Sequence, residues 1–386
     1  MQGYIQRKLE KSLKEYQQIF PVIAVIGPRQ CGKSTMVKHI SNNFSNTVYL
    51  DLEIEKDLNK LKADPAFFLW NNTNKTIVID EVQQFPDIFN ILRPIVDEVQ
   101  KTGWVILLGS ASPKLIRNSS ETLAGRIGYL ELTPFLMAEV KSTAAFQLIN
   151  FWLNGGFPRA FLLSNRSSYI WRENFIATFI ERDIPMLNIR IPAMTLKRFL
   201  RMLVHFHGQV LNSSQLGNSL GVSNHTARQY IDLFEQSFII RTLPPYLPNL
   251  NKRLIKSPKI YFRDSGIFHA LLQCPSFDDL MAHPAYGASW EGFVLEQVIA
   301  ARPDWKAYFY RTRTGVEIDL ILEKGVKKVA VEFKVSTAPK LGRGFYQALE
   351  DLQIDKGYII APVDSSYPLN EKVTVIPLDG FLELKM

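Results

Sequence analysis

The stretch "GPRQCGKST" at residues 27–35 directly follows the apolar run "PVIAVI". Its spacing, G-x-x-x-x-G-K-S, is typical of a loop that cradles phosphates between a strand and a helix. Gly27 and Gly32 let the backbone turn tightly, so that successive N–H groups point at one anion. Lys33 supplies a positive charge to the phosphate oxygens, and the hydroxyl of Ser34 is a ligand for Mg²⁺. The loop therefore predicts a site for Mg²⁺ and a nucleoside triphosphate.

The whole loop is expected to contact the nucleotide. The predicted binding residues are Gly27, Pro28, Arg29, Gln30, Cys31, Gly32, Lys33, Ser34 and Thr35. Cys31 has two interpretations: a thiol that senses oxidation, or a tolerated filler of the loop, which is favoured because nothing in the sequence indicates a lowered pKa.

The first part of the chain alternates apolar runs with helical stretches. The runs are "VIAVIG", "TVYLDLE", "KTIVIDEV" and "WVILLGSAS", and each ends in a turn or a polar residue. Such runs fit strands that are buried on both faces of a parallel sheet. The alternation predicts an α/β domain of the P-loop type over residues 1–140.

A second motif completes the predicted catalytic centre. The run "TIVIDEV" delivers Asp80 and Glu81 to a strand end, where Asp80 can hold Mg²⁺ and Glu81 can polarise the attacking water as a general base. The next run, "VILLGSAS", ends in Ser110, whose hydroxyl can orient that water or contact the γ-phosphate. Together with Lys33, these side chains form the predicted catalytic set.

Arg126 in "ETLAGRIGYLEL" is a further catalytic candidate. An arginine here can act as a finger on the γ-phosphate of a neighbouring subunit, which would require self-association. The alternative is a surface arginine with a solvated guanidinium. Spacing alone favours neither.

The strand pattern fades between residues 141 and 250. The stretch "SSQLGNSLGVSNHTARQYIDLFEQ" predicts two helices joined by a turn at Gly221, with Ser223 or Asn224 capping the second, and resembles a winged helix-turn-helix. The second helix is predicted to present His225, Thr226, Arg228 and Gln229 outwards, towards DNA. A basic cluster is predicted nearby, formed by Lys252, Arg253, Lys256 and Lys259. A role in protein packing stays open. His205 and His207 lack metal partners at ligand spacing and are expected to pack or lie at the surface.

Residues 251–386 are predicted to form a second α/β domain. Asp319 lies in the strand "GVEIDLIL", Glu332 and Lys334 share a face of the strand "VAVEFKV", and Glu291 lies in the preceding helix. Clustered carboxylates of this kind bind divalent cations that hydrolyse phosphodiesters. The order of these residues resembles the PD-(D/E)xK nuclease core. The alternatives are an active nuclease, an inactive core that keeps only its shape, or a simple cross-strand ion pair.

Taken together, these motifs resemble a prokaryotic AAA+-type ATPase family whose C-terminal half is a domain of unknown function. The resemblance rests on "GPRQCGKST", "IDEVQ", "GSAS", "LAGR", "FPRAF", "FIERDIP", "KSPKIYFRDSGIFHALL" and the final "EIDLIL…VEFK". It implies ATP as the nucleotide, Ser110 as a sensor residue and Arg126 as a candidate finger. The expected architecture is a P-loop NTPase sheet, then a helical winged-helix segment, then a restriction-endonuclease-like α/β domain.

Composition is that of an ordinary globular protein. The 386 residues are 46% hydrophobic and 21% charged, and the net charge of +8 permits nucleic-acid binding without requiring it. Two cysteines are too few for a disulfide framework or a four-ligand zinc site. No apolar run approaches the ~20 residues of a membrane span, and the N-terminus lacks a secretory signal. These features predict a cytoplasmic ATPase without a membrane partner, with DNA as a further partner. The alternative function is a nucleotide-gated switch or protein-interaction scaffold with an inactive nuclease core.

Overall fold

The computed structural model describes residues 3–41, 46–110, 123–186, 189, 191–248 and 253–386. The described chain forms two compact units. The first comprises Met1–Phe135, Met186–Asn188 and Gln236–Ile239. The second comprises Leu136–Pro185, Ile189–Glu235 and Ile240–Met386. The domain boundaries placed at residues 140 and 250 stay a prediction.

The first unit is built on a parallel five-stranded sheet, as the sequence predicts. Its strands are β1 (Val22–Ile26), β2 (Thr47–Asp51), β3 (Thr76–Asp80), β4 (Val105–Gly109) and β5 (Ile127–Glu131). The strand order is β2-β3-β4-β1-β5, and every neighbouring pair is parallel. Strand β4 therefore lies between β1 and β3, which brings the carboxyl ends of these three strands to one edge.

Helices cover both faces of this sheet. They are α1 (Leu9–Tyr16), α2 (Lys33–Ser41), α3 (Glu55–Ala63), α4 (Pro65–Trp70) and α5 (Ile88–Val99). Ile88, Leu92 and Ile95 of α5 pack into the apolar cluster on one face, and Met36 and Val37 of α2 belong to the cluster on the other. Burial on both faces explains why the strands read as continuous apolar runs.

The second unit begins with a helical region. Its helices are α6 (Met137–Val140), α7 (Leu148–Asn154), α8 (Pro158–Phe161), α9 (Asn165–Thr178), α10 (Ile184–Met186, whose last residue falls in the first unit), α11 (Ala193–Leu203), α12 (Ser213–Leu220) and α13 (Asn224–Gln236). A small antiparallel sheet follows in the order β6-β8-β7, with β6 (Gln209–Val210), β7 (Ile240–Leu243) and β8 (Lys259–Phe262).

The remainder of the second unit contains a six-stranded mixed sheet. Its strands are β9 (Lys306–Arg311), β10 (Glu317–Lys324), β11 (Lys327–Phe333), β12 (Gly357–Ile360), β13 (Tyr367–Pro368) and β14 (Val373–Ile376), in the order β13-β14-β12-β11-β10-β9. The helices here are α14 (Ser265–Leu271), α15 (Phe277–Ala282), α16 (Tyr286–Ala301), α17 (Arg343–Leu352) and α18 (Leu378–Glu383). The antiparallel hairpin of β10 and β11 carries the predicted acidic residues.

Candidate functional site

The loop between β1 and α2 has the backbone that its glycines allow. Gly27 has a φ of 152°, and a Cβ atom there would lie 2.1 Å from the carbonyl oxygen of Leu132. Gly32 has a φ of 99°, and Gln30 is left-handed with a φ of 62°. Helix α2 begins at Lys33, so its positive N-terminal end lies at the loop. The loop therefore has no room for a side chain at Gly27 and presents a helix N-terminus to an anion.

Lys33 is buried, and its ammonium donates to the carbonyl oxygens of Gly27 at 3.0 Å and Pro28 at 2.9 Å. Arg29 forms an ion pair with Glu53 of the same unit. The other loop positions differ in exposure: Gly27, Pro28 and Cys31 are buried, Gly32 and Ser34 are half-buried, and Gln30 and Thr35 are exposed. The loop thus combines buried groups that fix its shape with accessible groups on its surface.

Cys31 does not have the surroundings of a redox sensor. Its side chain is fully buried, and its Sγ lies 3.3 Å from the carbonyl oxygen of Leu132. Burial raises the pKa of the thiol above its usual value, although Lys33 and Arg7 act in the opposite direction. Since the thiolate is the reactive form, this supports the filler interpretation.

The second and third predicted motifs converge at the edge where the phosphate loop lies. Asp80 ends β3, Glu81 follows it, and Ser110 follows β4. The hydroxyl of Ser110 donates to Glu81 Oε2 at 3.3 Å. Asp80 accepts a hydrogen bond from the backbone N–H of Glu81 at 3.0 Å. Because β4 separates β1 from β3, one sheet edge brings the loop, the carboxylates and the serine together.

Glu81 has an uncommon backbone conformation. It is left-handed with φ 54° and ψ 48°, a region that disfavours side-chain-bearing residues by about 1–3 kcal/mol. Burial raises the pKa of its carboxyl, and the charge of Lys33 counteracts part of that rise. A carboxylate with a raised pKa suits a general base, because its basicity is closer to neutral pH.

Two residues at this edge were not predicted from the sequence. Gln83 donates from Nε2 both to Glu81 and to Ser110 Oγ, the latter at 3.0 Å. The hydroxyl of Tyr49, on β2, donates to Asp80. Burial and the neighbouring Asp80 both raise the pKa of Tyr49, so it stays a neutral donor. Gln83 lies within the quoted "IDEVQ", and Tyr49 becomes visible only once β2 is known to neighbour β3.

The residues of this edge fit Mg²⁺ and a nucleoside triphosphate. The backbone at Gly27 packs so closely against Leu132 that it leaves no room for a Cβ atom, and Lys33 begins helix α2. Ser34 and Asp80 supply the hydroxyl and carboxylate oxygens that Mg²⁺ prefers. Mg²⁺ sites at phosphates use only one or two protein oxygens. The phosphate oxygens of the nucleotide would therefore supply further ligands to the ion.

Arg126 lies at the opposite end of the strands of this sheet, away from the phosphate loop. It directly precedes β5, which runs parallel to β1, so it lies at the amino ends of the strands. Its guanidinium forms a two-point ion pair with Asp97, with Nη2 donating to Oδ2 at 2.9 Å. The hydrogen bond that Arg126 donates to Asp97 raises the pKa of the guanidinium. Its finger role in a neighbouring subunit stays a prediction.

The predicted acidic residues of the second unit do lie close together. Leu320 of β10 is opposite Val331 of β11, and Asp319 and Glu332 are the next residues along the two strands. Asp319 accepts from the backbone N–H of Phe333 at 3.2 Å. Lys334 donates to Glu332 at 2.8 Å, so the two side chains share a face as expected.

Lys259 corrects one prediction. It was expected in a basic cluster near the helix-turn-helix stretch, but its side chain is only 3% exposed and is surrounded by carboxylates. Its Nζ lies 2.8 Å from Glu317, 3.3 Å from Glu291 and 3.5 Å from Asp319. The apolar residues around "KSPKIYF" place it in β8, where burial demands a charge partner. Arg253 and Lys256 are exposed, and Lys252 lies outside the described residues.

Burial dominates the electrostatics of the acidic cluster. It raises the pKa of Glu291 to about 7 and, with the charge of Asp319, that of Glu332 to about 8. Burial acts to lower the pKa of Lys259, but the carboxylates around it raise the pKa well above the usual value. In the described part of the chain, no group of three or more His, Cys, Asp or Glu side chains is arranged to hold a metal ion. Cation binding by Glu291, Asp319 and Glu332 stays a prediction.

The predicted helix-turn-helix stretch forms helices α12 and α13. Gly221 ends α12 in the left-handed conformation, and Ser223 Oγ caps the following helix by accepting from Thr226 N at 3.0 Å. His225, Arg228 and Gln229 are exposed and Thr226 is half-buried. DNA contact by these residues stays a prediction.

His207 has a packing role, as expected for a histidine without metal partners. It is buried and stacks on Phe268 with ring centroids 3.9 Å apart. His205 is exposed, so one of the two histidines is packed and the other lies at the surface.

Comparison with known families divides the chain into three segments. A model described as an AAA domain matches residues 20–141. Two models described as domains of unknown function, DUF8612 and DUF4143, match residues 145–278 and 286–381. Among the described residues, no helix is both long and apolar enough to cross a membrane.

Solved structures resemble the chain only distantly. The Walker-type ATPase PABY2304 of Pyrococcus abyssi is 14% identical with a TM-score of 0.47, and the match covers 70% of this chain and 96% of that one. AMPPCP-bound DnaA from Aquifex aeolicus is 13% identical with a TM-score of 0.32, over 61% of this chain and 89% of that one. Likenesses this weak assign no function.

Two other relatives are much closer in sequence. The uncharacterized proteins Mb2031c of Mycobacterium bovis and Rv2008c of Mycobacterium tuberculosis are each 40% identical over 366 residues, which covers 94% of this chain and 81% of each relative. The chain therefore belongs to the same family as these two mycobacterial proteins, with an AAA domain of the ATPase type in its N-terminal part.

Proposed function

We propose that the first unit binds ATP with Mg²⁺ and hydrolyses it. The observation that carries this proposal is the meeting of three strand ends, which brings the Gly27–Ser34 loop, Asp80 with Glu81, and Ser110 to one sheet edge. In this scheme Lys33 and the N-terminus of α2 bind the phosphates, and Ser34 and Asp80 hold the metal. Glu81 takes the proton of the attacking water, and Ser110 positions that water.

The AAA domain match over residues 20–141 supports ATP as the substrate. Bound Mg²⁺ would supply positive charge to the phosphate oxygens. The protein supplies three features: a closely packed backbone at Gly27, a buried ammonium at Lys33 and a carboxyl group of raised pKa at Glu81.

Release of phosphate from ATP by the purified full chain tests this function. We expect Lys33→Ala to lower the rate by about 100-fold or more, because a charge that stabilises the transferring phosphoryl group is lost. Lys11→Ala, an exposed lysine of α1, is the control and should keep the wild-type rate. Equal rates for wild type and Lys33→Ala would refute the site.

The second unit is proposed to act on or respond to nucleic acid through α13. His225, Arg228 and Gln229 form an exposed face, and a short basic stretch with Arg253 and Lys256 is also exposed. DNA affinity measured at several salt concentrations tests this. Arg228→Ala should weaken binding and reduce the salt dependence, whereas Arg166→Ala, an exposed arginine on α9, should do neither. An equal loss of DNA affinity in both variants would mean that positive charge anywhere on the protein attracts DNA, and that α13 has no specific role.

A second candidate for the C-terminal domain is a scaffold with an inactive nuclease-like core. The position of Lys259 among Glu291, Glu317 and Asp319 favours this candidate over cleavage. Incubation of plasmid DNA with Mg²⁺ or Mn²⁺ distinguishes the two. Cleavage by wild type that is lost in Asp319→Ala would establish a nuclease, and absence of cleavage in both would support the scaffold.

A further inference from the structure

Three carboxylates in the C-terminal domain surround one ammonium group. Glu291 comes from α16, and Glu317 and Asp319 come from β10. Lys259 reaches into this group from β8, with its Nζ between 2.8 and 3.5 Å from an oxygen of each carboxylate. Elements distant in sequence thus place three acidic side chains around a single cation that belongs to the protein.

The remaining bonds of these carboxylates also come from protein donors. Tyr261 donates its hydroxyl to Glu291, and the backbone N–H of Phe333 donates to Asp319. Arg311 lies 3.5 Å from Glu317. Each carboxylate therefore has a second protein partner besides Lys259, either a hydrogen-bond donor or a cation.

The geometry around Lys259 is that of an ammonium and not of a metal centre. The 2.8 Å distance to Glu317 is that of a charge-assisted hydrogen bond, and the distances of 3.3 Å to Glu291 and 3.5 Å to Asp319 are those of longer ion pairs. A divalent cation needs its oxygens at roughly 2.0–2.6 Å, and it would have to share the space with a positive charge that is 3% exposed. Mutual repulsion in a buried site makes simultaneous occupation by both charges strongly unfavourable.

We propose that Lys259 takes the position of a divalent cation in the C-terminal domain, so that Glu291, Glu317 and Asp319 bind a metal ion only when this lysine is removed. The inference goes beyond the proposed ATPase function and concerns the C-terminal domain alone. It turns a group of residues that resembles a hydrolytic centre into a permanent internal ion-pair network. A lysine from a neighbouring element, and not the loss of an acidic residue, is what keeps the metal out.

Binding of Mn²⁺ measured by electron paramagnetic resonance tests the proposal. The nucleotide-free full chain is used, and every protein carries Asp80→Asn to weaken metal binding at the phosphate loop. We expect no bound Mn²⁺ with Lys259 in place at millimolar metal. Lys259→Met should gain one bound Mn²⁺ per chain, and Lys259→Met with Asp319→Asn should lose it again. Lys256→Met is the matched control, since that lysine is exposed, and should gain nothing.

Two outcomes overturn the proposal. In the first, the Asp80→Asn protein with Lys259 intact binds Mn²⁺, and adding Asp319→Asn removes that binding. This result does not depend on whether any Lys259 variant folds. The other is a folded Lys259→Met protein, with wild-type circular dichroism, that gains no ion. Phosphate release by the protein with native Asp80 is measured in parallel, so that failure of the ATPase proposal is seen separately.

Discussion

Tyr49 and Gln83 bond the two acidic residues that the proposed mechanism uses. Tyr49 donates to Asp80, and Gln83 links Glu81 to Ser110. At the residue scale, these bonds hold Asp80 and Glu81 in fixed orientations. The side chain of Glu81 extends from a left-handed backbone, so its direction depends on such support.

Gln83 is predicted to be a positioning residue. Gln83→Ala should lower the kcat for ATP hydrolysis by about 10- to 100-fold and leave KM nearly unchanged, because Glu81 loses its orientation but the phosphate loop does not change. Steady-state kinetics on the full chain measures both constants. Gln84→Ala, the adjacent glutamine, is the control. A rise in KM with normal kcat would show that Gln83 binds substrate instead.

Gly27 offers a test of the loop backbone. Gly27→Ala should reduce the free energy of unfolding by about 1–3 kcal/mol, because the new Cβ meets a carbonyl oxygen and the φ is positive. Gly125→Ala separates the two causes, since Gly125 has a φ of 78° but open space around it, and it should cost less. Urea unfolding measures both changes. Equal losses would show that the contact with Leu132 is unimportant.

The sequence identified the residue types of this site but only part of its network. The loop and the Asp80–Glu81 pair follow from local spacing, and Ser110 follows from the end of the next apolar run. Tyr49 could not be predicted, because its contact with Asp80 depends on which strands are neighbours. The burial of Lys259 was missed for a similar reason: a lysine beside a proline and a basic stretch resembles surface, and its three partners lie far away in sequence.

At the element scale, β8 and α14 of the second unit enclose a neutral histidine. The Nδ1 of His207 accepts from Phe262 N at 3.0 Å and its Nε2 lies 3.1 Å from the carbonyl oxygen of Ala288. Burial lowers its pKa to about 3. Buried His269 has a pKa lowered to about 3 by the same cause. Between about pH 3 and pH 6.5, both histidines stay uncharged in the folded protein but gain a proton in the unfolded chain.

Acid is therefore predicted to destabilise the second unit through His207. Its folded pKa is depressed, so the contribution is complete above the unfolded pKa of about 6.5 and falls as the pH falls towards 3. In urea titrations across this window, His207→Gln should reduce the pH slope of the unfolding free energy by about 1.4 kcal/mol per pH unit. His205→Gln, at an exposed position, should keep the wild-type slope. An unchanged slope in His207→Gln would contradict a neutral buried imidazole.

The α/β class, the parallel strands and the helix-turn-helix pair were predictable at this scale because each has a local pattern. Strand order was not, since "VILLG" carries no mark that sets it between β1 and β3. Likewise, strands β10 and β11 of the C-terminal sheet were predicted, but the insertion of a charged β8 residue among its carboxylates was not.

At the scale of the whole molecule, the predicted finger function of Arg126 would act between chains. This arginine lies at the end of the strands opposite the phosphate loop and pairs with Asp97, so it does not serve its own site. A finger function would require a second chain and release from Asp97. The acidic cluster around Lys259 is self-contained, which leaves the first unit as the proposed catalytic part.

Mixing two inactive variants tests an action between chains. Lys33→Ala and Arg126→Ala should each hydrolyse ATP slowly, and an equimolar mixture should recover a substantial fraction of activity, because mixed pairs contain one intact site with one intact finger. Asp97→Ala serves as the control, since it frees Arg126 without removing it. Full activity of Arg126→Ala alone, or a mixture no faster than its components, would contradict a finger function.

In the proposed mechanism, Glu81 is the base of an ATP site built by the Gly27–Ser34 loop. ATP binding and phosphate release by the full chain carrying Glu81→Gln test it most directly, with Glu55→Gln, an exposed first-turn residue of α3, as the control. We expect ATP affinity within a few-fold of wild type and hydrolysis slower by about 100-fold or more. Undiminished hydrolysis in Glu81→Gln would contradict it.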